Sequence, residues 1–101
     1  MKTIIVVGGS KGIGNALVKL LLHSHKVINI SRTKPEITDE NLEHFACDVI
    51  SDDLPNIEKA GGLVYCPGSI NLKPISRLSI DDFKADFEIN VLGAIKTIQK
   101  Y

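Results

Sequence analysis

Apolar positions along the chain fall into short β-branched runs that alternate with helical stripes. Thr3-Ile4-Ile5-Val6-Val7 is a continuous run of the kind that forms a strand buried in a parallel sheet. Ile13, Ala16, Leu17, Leu20 and Leu21 then recur at helical spacing and predict a helix from about Gly12 to Ser24. Val27–Ile30 reads as a second strand, His44–Val49 as a third ending in an acid, and Gly62–Cys66 as a fourth. Ser51-Asp52-Asp53 predicts the cap of a short helix reaching about Ala60, with Pro55 in its first turn. A last helix opens at Ser79, its N-cap, with Asp81 and Asp82 at the positive end. Phe83, Phe87, Val91, Ala94, Ile98 and Tyr101 share one face of it and are expected to lie on the sheet. Ala85, Ile89 and Leu92 form a second apolar patch on the opposite face, which points to a subunit contact.

The chemistry is concentrated where the first strand meets the first helix. Gly8-Gly9-Ser10-Lys11-Gly12-Ile13-Gly14 is a glycine-rich turn, and glycines at such a turn permit a tight reversal, close approach of a diphosphate and close helix–strand packing. The helix that follows offers free N–H groups and the positive end of its dipole. A purely structural turn is the alternative; the order strand, loop, helix favours dinucleotide binding. At the end of the second strand stand Asn29, Ser31 and Arg32, and no carboxylate. NAD calls for an Asp or Glu there to bond its ribose 2′-OH, whereas an Arg accommodates the 2′-phosphate of NADP. Lys11 adds a second cation, so the pattern points to NADP ahead of NAD, against the alternative of two ordinary solvated cations.

Gly8 to Gly14, spaced G-x-x-x-G-x-G, resembles the cofactor loop of the short-chain dehydrogenase/reductase family, whose pattern is T-G-x-x-x-G-I-G. Val7 stands where the family usually has Thr, and Tyr65-Cys66-Pro67-Gly68 stands where it usually has N-N-A-G, so that only the glycine matches. The resemblance runs over all 101 residues, yet it matches only the front part of a family member. It implies an α/β, Rossmann-like three-layer half-domain over residues 1–101, a parallel sheet in the order 3-2-1-4 truncated before a fifth strand. It implies cofactor contacts from Gly8, Ser10, Lys11, Gly12, Ile13, Gly14, Ser31 and Arg32, and a backbone contact near Gly68. Asp48 matches an acid near the adenine amino group and Val49 a residue bounding the adenine; a turn carboxylate is the other reading of Asp48. Asn90, in Phe87-Glu88-Ile89-Asn90-Val91-Leu92-Gly93, resembles the catalytic Asn that holds a water in the family's proton relay. An Asn hydrogen-bonded to backbone is its alternative.

The family's catalytic Ser and Tyr-x-x-x-Lys have no counterpart here. Tyr65 is followed four residues on by Ser69, and Tyr101 is the last residue. The expectation is therefore the cofactor-binding half of an NADP-dependent oxidoreductase that moves hydride between NADPH and a carbonyl or alcohol, inactive as 101 residues alone. A non-catalytic nucleotide-binding or subunit-interaction module, complete as it stands, is the alternative.

Twelve Lys and Arg balance twelve Asp and Glu, which argues against nucleic acid or a membrane surface as partner. Cys47 and Cys66 sit in apolar strand-like contexts and read as reduced thiols, hence a cytoplasmic location. His23 and His25 have no third ligand at a suitable spacing, so no metal site is expected. The first apolar run is too short for a leader or a membrane span. A small-molecule substrate and a homo-oligomer complete the expectation.

Overall fold

The computed structural model describes residues 1–101. Strands β1 (Thr3–Val7), β2 (Lys26–Ser31), β3 (Leu42–Ala46) and β4 (Gly62–Tyr65) form one parallel sheet in the order β3-β2-β1-β4, as the sequence leads one to expect. Ile5 pairs with Ile28 on one side and Leu63 on the other, so β1 is central, and its Ile5, Val6 and Val7 are buried. That placement explains why β1 is apolar throughout: a strand covered on both faces has no solvent side to alternate with.

The strand alternation divides the core in two. On one face Val6 and Val27 pack with Val18 of helix α1 (Gly12–Leu21). On the other face Ile5, Val7, Ile30, Cys47, Val49 and Leu54 form the larger cluster, joined by Tyr65 and Tyr101. Over that side runs a long helix in three parts: α2 (Ile80–Phe87), a π-helical turn (Glu88–Leu92) and α3 (Gly93–Lys100). The result is three layers, with α1 against β1 and β2 and α3 against β4.

Several local expectations are corrected. Helix α1 stops at Leu21, where the carbonyl of Leu21 accepts from both Ser24 N–H (3.0 Å) and His25 N–H (2.7 Å) and closes a turn. Strand β3 ends at Ala46, before Cys47-Asp48-Val49, because Asp48 folds the chain back. Its Oδ1 accepts from Ile50 N–H (2.9 Å) and its N–H donates to Asp52 Oδ2 (2.8 Å). The helix expected over 51–60 does not form. Asp52 is consumed in that turn instead of capping a helix, and the segment then lays Leu54 and Ile57 against the core. Two helix side chains pin it from outside: Tyr101 OH donates to Pro55 O (2.6 Å) and Lys100 Nζ to Asn56 Oδ1 (2.7 Å).

Ser79 caps α2 as read from the sequence. Its Oγ accepts from Asp82 N–H (3.1 Å) while Asp82 Oδ2 accepts from Ser79 N–H (3.0 Å), a reciprocal capping box. The facing of the long helix is the largest correction. Phe83, Phe87, Val91 and Ile98, expected on the sheet, are 38–65% exposed. The sheet side is instead built from Gly93 and Thr97, both buried, with Ala94 and Tyr101 partly so. Ala85 and Ile89, expected to face outward, turn toward a cleft between helix and sheet. Contacts with β4 decide the side: Gly93 lies against the Tyr65 hydroxyl, which donates to Ile89 O. This leaves Phe83 and Phe87, before the π turn, and Val91 and Ile98, within and after it, pointing away.

Candidate functional site

A cleft of about 480 Å³ opens at the carboxyl ends of β1, β2 and β4, where ligands of open parallel sheets bind. Its floor includes Val7 and Ile30, and its near wall is the glycine loop with Gly8, Ser10 and Lys11. Gly8 (φ +82°) and Gly12 (φ +56°) lie in the left-handed region, so at these two positions the conformation itself calls for glycine. Gly14 is required for another reason: a Cβ there would run into the carbonyl oxygen of Gly8, which is where α1 crosses closest to the loop. Helix α1 begins at Gly12; Lys11 at its N-cap makes no side-chain cap, and its first turn has no acid. Its leading N–H groups are thus free for an anion, and nothing nearby opposes negative charge.

The second wall comes from the ends of β2 and β3. Ser31, Arg32 and Thr33 line it, followed by Cys47, Asp48, Val49 and Ile50. Arg32 and Lys11 are exposed and take part in no salt bridge, the one ion pair of the chain being Lys73–Asp82 at 3.2 Å. Burial, with the nearby acids Asp52, Asp48 and Asp53 adding to it against the opposing Lys96, pushes the Cys47 thiol above its ordinary value, which favours the neutral thiol. Asp48 has the turn role given above as well as a position on the cleft wall.

The third side is the loop after β4, with Pro67, Gly68 and Ser69 facing Ala85, Glu88 and Ile89 of the long helix. Two helix side chains fasten this loop. Asn90 spans Ser69, its Oδ1 accepting from Ser69 N–H (3.0 Å) and its Nδ2 donating to Ser69 O (2.8 Å). Asp86 accepts from Ser69 Oγ (2.6 Å), Asn71 N–H (3.3 Å) and Asn71 Nδ2 (3.2 Å). These bonds, led by that from Ser69, hold the Asp86 carboxyl below the usual range. Asn90 is exposed and does not itself line the cleft; it reaches it through Ser69.

Of the residues singled out from the sequence, the cleft gathers Gly8, Ser10, Lys11, Ser31, Arg32, Asp48, Val49 and Gly68. Gly12, Ile13 and Gly14 lie behind the loop at the start of α1, with Ile13 85% exposed. One residue on which the site depends was not recognised from the sequence as part of it. Asn29 is wholly buried, and its Oδ1 accepts the Gly9 N–H at 2.8 Å, so β2 supports the glycine loop from beneath. The signal was present in the alternation: Asn29 shares a face with Val27, toward α1, and a polar side chain on that buried face needs partners.

A dinucleotide fits this arrangement, with anion-binding amides on one wall, two unpaired cations at the rim and an apolar floor. The class is therefore a Rossmann-like α/β fold with a cleft at the carboxyl ends of its strands. No protein-family model matches the chain. Solved structures do match it, end to end. A short chain dehydrogenase family protein from Francisella tularensis subsp. tularensis SCHU S4 is 29% identical at a TM-score of 0.84, covering 99% of this chain and 45% of that one. A short chain dehydrogenase from Leptospira borgpetersenii with bound NAD+ is 22% identical at a TM-score of 0.82, covering 98% of this chain and 44% of that one. A variant of ElxO with NADPH bound is 20% identical at a TM-score of 0.78, covering 99% and 49%. The chain has the fold of the short-chain dehydrogenases, in agreement with the resemblance carried by its glycine loop, and it spans about half the length of the structures that it matches. No helix is long and apolar enough to cross a membrane, and no three His, Cys, Asp or Glu side chains are grouped to hold a metal ion.

Proposed function

We propose that this chain is the cofactor-binding half of a cytoplasmic NADP-dependent oxidoreductase acting on a small carbonyl or alcohol. The observation that carries the reading is the pairing of an uncapped helix N-terminus behind the glycine loop with Arg32 and Lys11, unneutralised, at the cleft rim. The diphosphate lies against Gly8, Ser10 and the leading amides of α1, from Gly12 to Gly14. Arg32, Lys11 and the Ser31 segment take the 2′-phosphate, Asp48 and Val49 bound the adenine, and Gly68 gives a backbone contact. When bound, the nicotinamide supplies or accepts hydride. Asn90 holds the Ser69 loop that closes the cleft on that side, and so acts on the reacting end by positioning it.

The 101 residues contain no Tyr-x-x-x-Lys, so the chain is expected to bind cofactor without turning it over. NADPH fluorescence should change on titration with the protein, while added aldehydes and ketones leave the NADPH unoxidised. An unchanged fluorescence would refute the binding, and steady oxidation would refute the division of labour. The chain is further proposed to self-associate through the free edge of β4 and the exposed apolar stripe of the long helix.

A further inference from the structure

Asn29 makes three hydrogen bonds in a buried site, and its surroundings fix the direction of each. Gly9 N–H is a donor, so the group facing it at 2.8 Å is Oδ1. The two hydrogens of Nδ2 then point to Ser31 Oγ at 2.9 Å and to His44 Nδ1 at 3.0 Å. Ser31 is already committed as a donor to Thr33 O (2.6 Å), so it accepts from Asn29. By the same logic His44 Nδ1 accepts, which requires a neutral ring with its proton on Nε2. The chain of bonds is closed only in that state.

This amide joins both walls of the cleft. Through Gly9 it supports the loop bearing Gly8 and Ser10, and through Ser31 it fixes the strand end bearing Arg32. There is no slack at Gly9, where a Cβ would meet Asn29 Oδ1 and Val18 Cγ2. We propose that Asn29 is the positioning residue of the dinucleotide loop and that neutral His44 holds it in place, so that protonation of His44 loosens the loop. The link to cofactor rests on the function proposed above; the link between His44 and Gly9 does not.

Protonation sets a donor against a donor, Nδ1–H facing Nδ2–H, and leaves one buried amide hydrogen without a partner. The charges around His44 do not relieve this. Lys34, from the segment after β2, disfavours the cation, and burial does so more strongly. Asp39 and Glu43 line the same shallow hollow, and neither is hydrogen-bonded to the ring. Helix α1, on the same face, has Lys19 as its one charged side chain, exposed to solvent.

The test is a pH titration of the free chain followed by NMR at the His44 ring and the Gly9 amide. Both are expected to move with one midpoint, below the ordinary imidazole value of about 6.5. His44→Gln, whose carbonyl accepts without titrating, should keep the Gly9 amide at its high-pH position throughout. A Gly9 amide that ignores the His44 midpoint, or that still shifts in His44→Gln, would overturn the proposal. In a second arm, NADPH affinity of the native chain should fall roughly fivefold more between pH 8 and pH 5.5 than that of His44→Gln. If NADPH fails to bind at any pH, the cofactor reading falls and the NMR titration still decides this one.

Discussion

The hydroxyl of Tyr65 donates to the carbonyl of Ile89 at 2.5 Å, tying the end of β4 to the π turn of the long helix. A π turn breaks the regular pairing of backbone groups, and this side chain satisfies a carbonyl there. Burial holds the Tyr65 hydroxyl protonated by raising its pKa, as a donor must be. Gly93 makes the approach possible, since a Cβ at that position would overlap the hydroxyl. Asn90, and with it the Ser69 loop, is presented from this turn.

Tyr65→Phe should therefore cost about 1–3 kcal/mol, the penalty for leaving a half-buried carbonyl unpaired. Gly93→Ala should cost at least as much through overlap, and the double variant should lose less than the sum, because removing the hydroxyl makes room for the methyl. Urea denaturation of the three variants checks this. Strict additivity would show that the two positions do not compete for the same space.

The strands, the glycine loop and the Ser79 cap were legible because each depends on local pattern: an apolar run, a glycine spacing, a Ser three residues before an acid. The order of the sheet came with the resemblance that the glycine loop carries. The facing of the long helix was not legible. Periodicity gives an apolar stripe but not the side of the helix that a strand meets, and here Tyr65 against Ile89 and Gly93 decides it. Residues 51–60 failed for a related reason. Their structure is set by distant partners, Tyr101 and Lys100, and by Leu54 and Ile57 reaching the core, none of which a local cap signal contains. Asn29 was noted only as standing where a carboxylate is absent; its strand face directs it beneath the loop, where it accepts from Gly9 N–H.

Glycines of the loop should differ sharply on substitution. Gly14→Ala pushes a methyl into backbone, the Gly8 carbonyl, and should destabilise by about 2 kcal/mol or more. Gly12→Ala meets nothing within 4 Å and carries only the strain of positive φ, about 1 kcal/mol. Thermal unfolding of both variants measures the difference, and equal losses would contradict the packing role of Gly14.

Acid should loosen the loop after β4. The Asp82 carboxyl is held low chiefly by the Ser79 N–H and the Asp86 carboxyl chiefly by Ser69 Oγ. Each is depressed in the folded state, so its contribution is present above the ordinary Asp value of about 3.9 and is lost as pH falls through the folded one. Asp86→Asn should flatten that part of the stability profile, measured by urea midpoints from pH 6 to pH 2.5. An unaltered profile would remove Asp86 from the account.

Phe83, Phe87, Val91, Leu92, Ile95 and Ile98 expose a continuous apolar stripe, and β4 has a free edge. Self-association at micromolar concentration is expected, with Phe87→Glu shifting the population toward monomer. Light scattering coupled to size exclusion reports the mass. A monodisperse monomer that unfolds cooperatively would rule the association out.

The cleft is proposed to bind a dinucleotide and to read its 2′-phosphate with Arg32 and Lys11. Calorimetric titration of the chain and of Arg32→Asp with NADPH and NADH tests it most directly. The native chain should prefer NADPH, and Arg32→Asp should weaken NADPH relative to NADH by at least about tenfold, the contribution of one charge-assisted hydrogen bond. Equal affinity for the two cofactors before and after the substitution, or binding of neither, would contradict it.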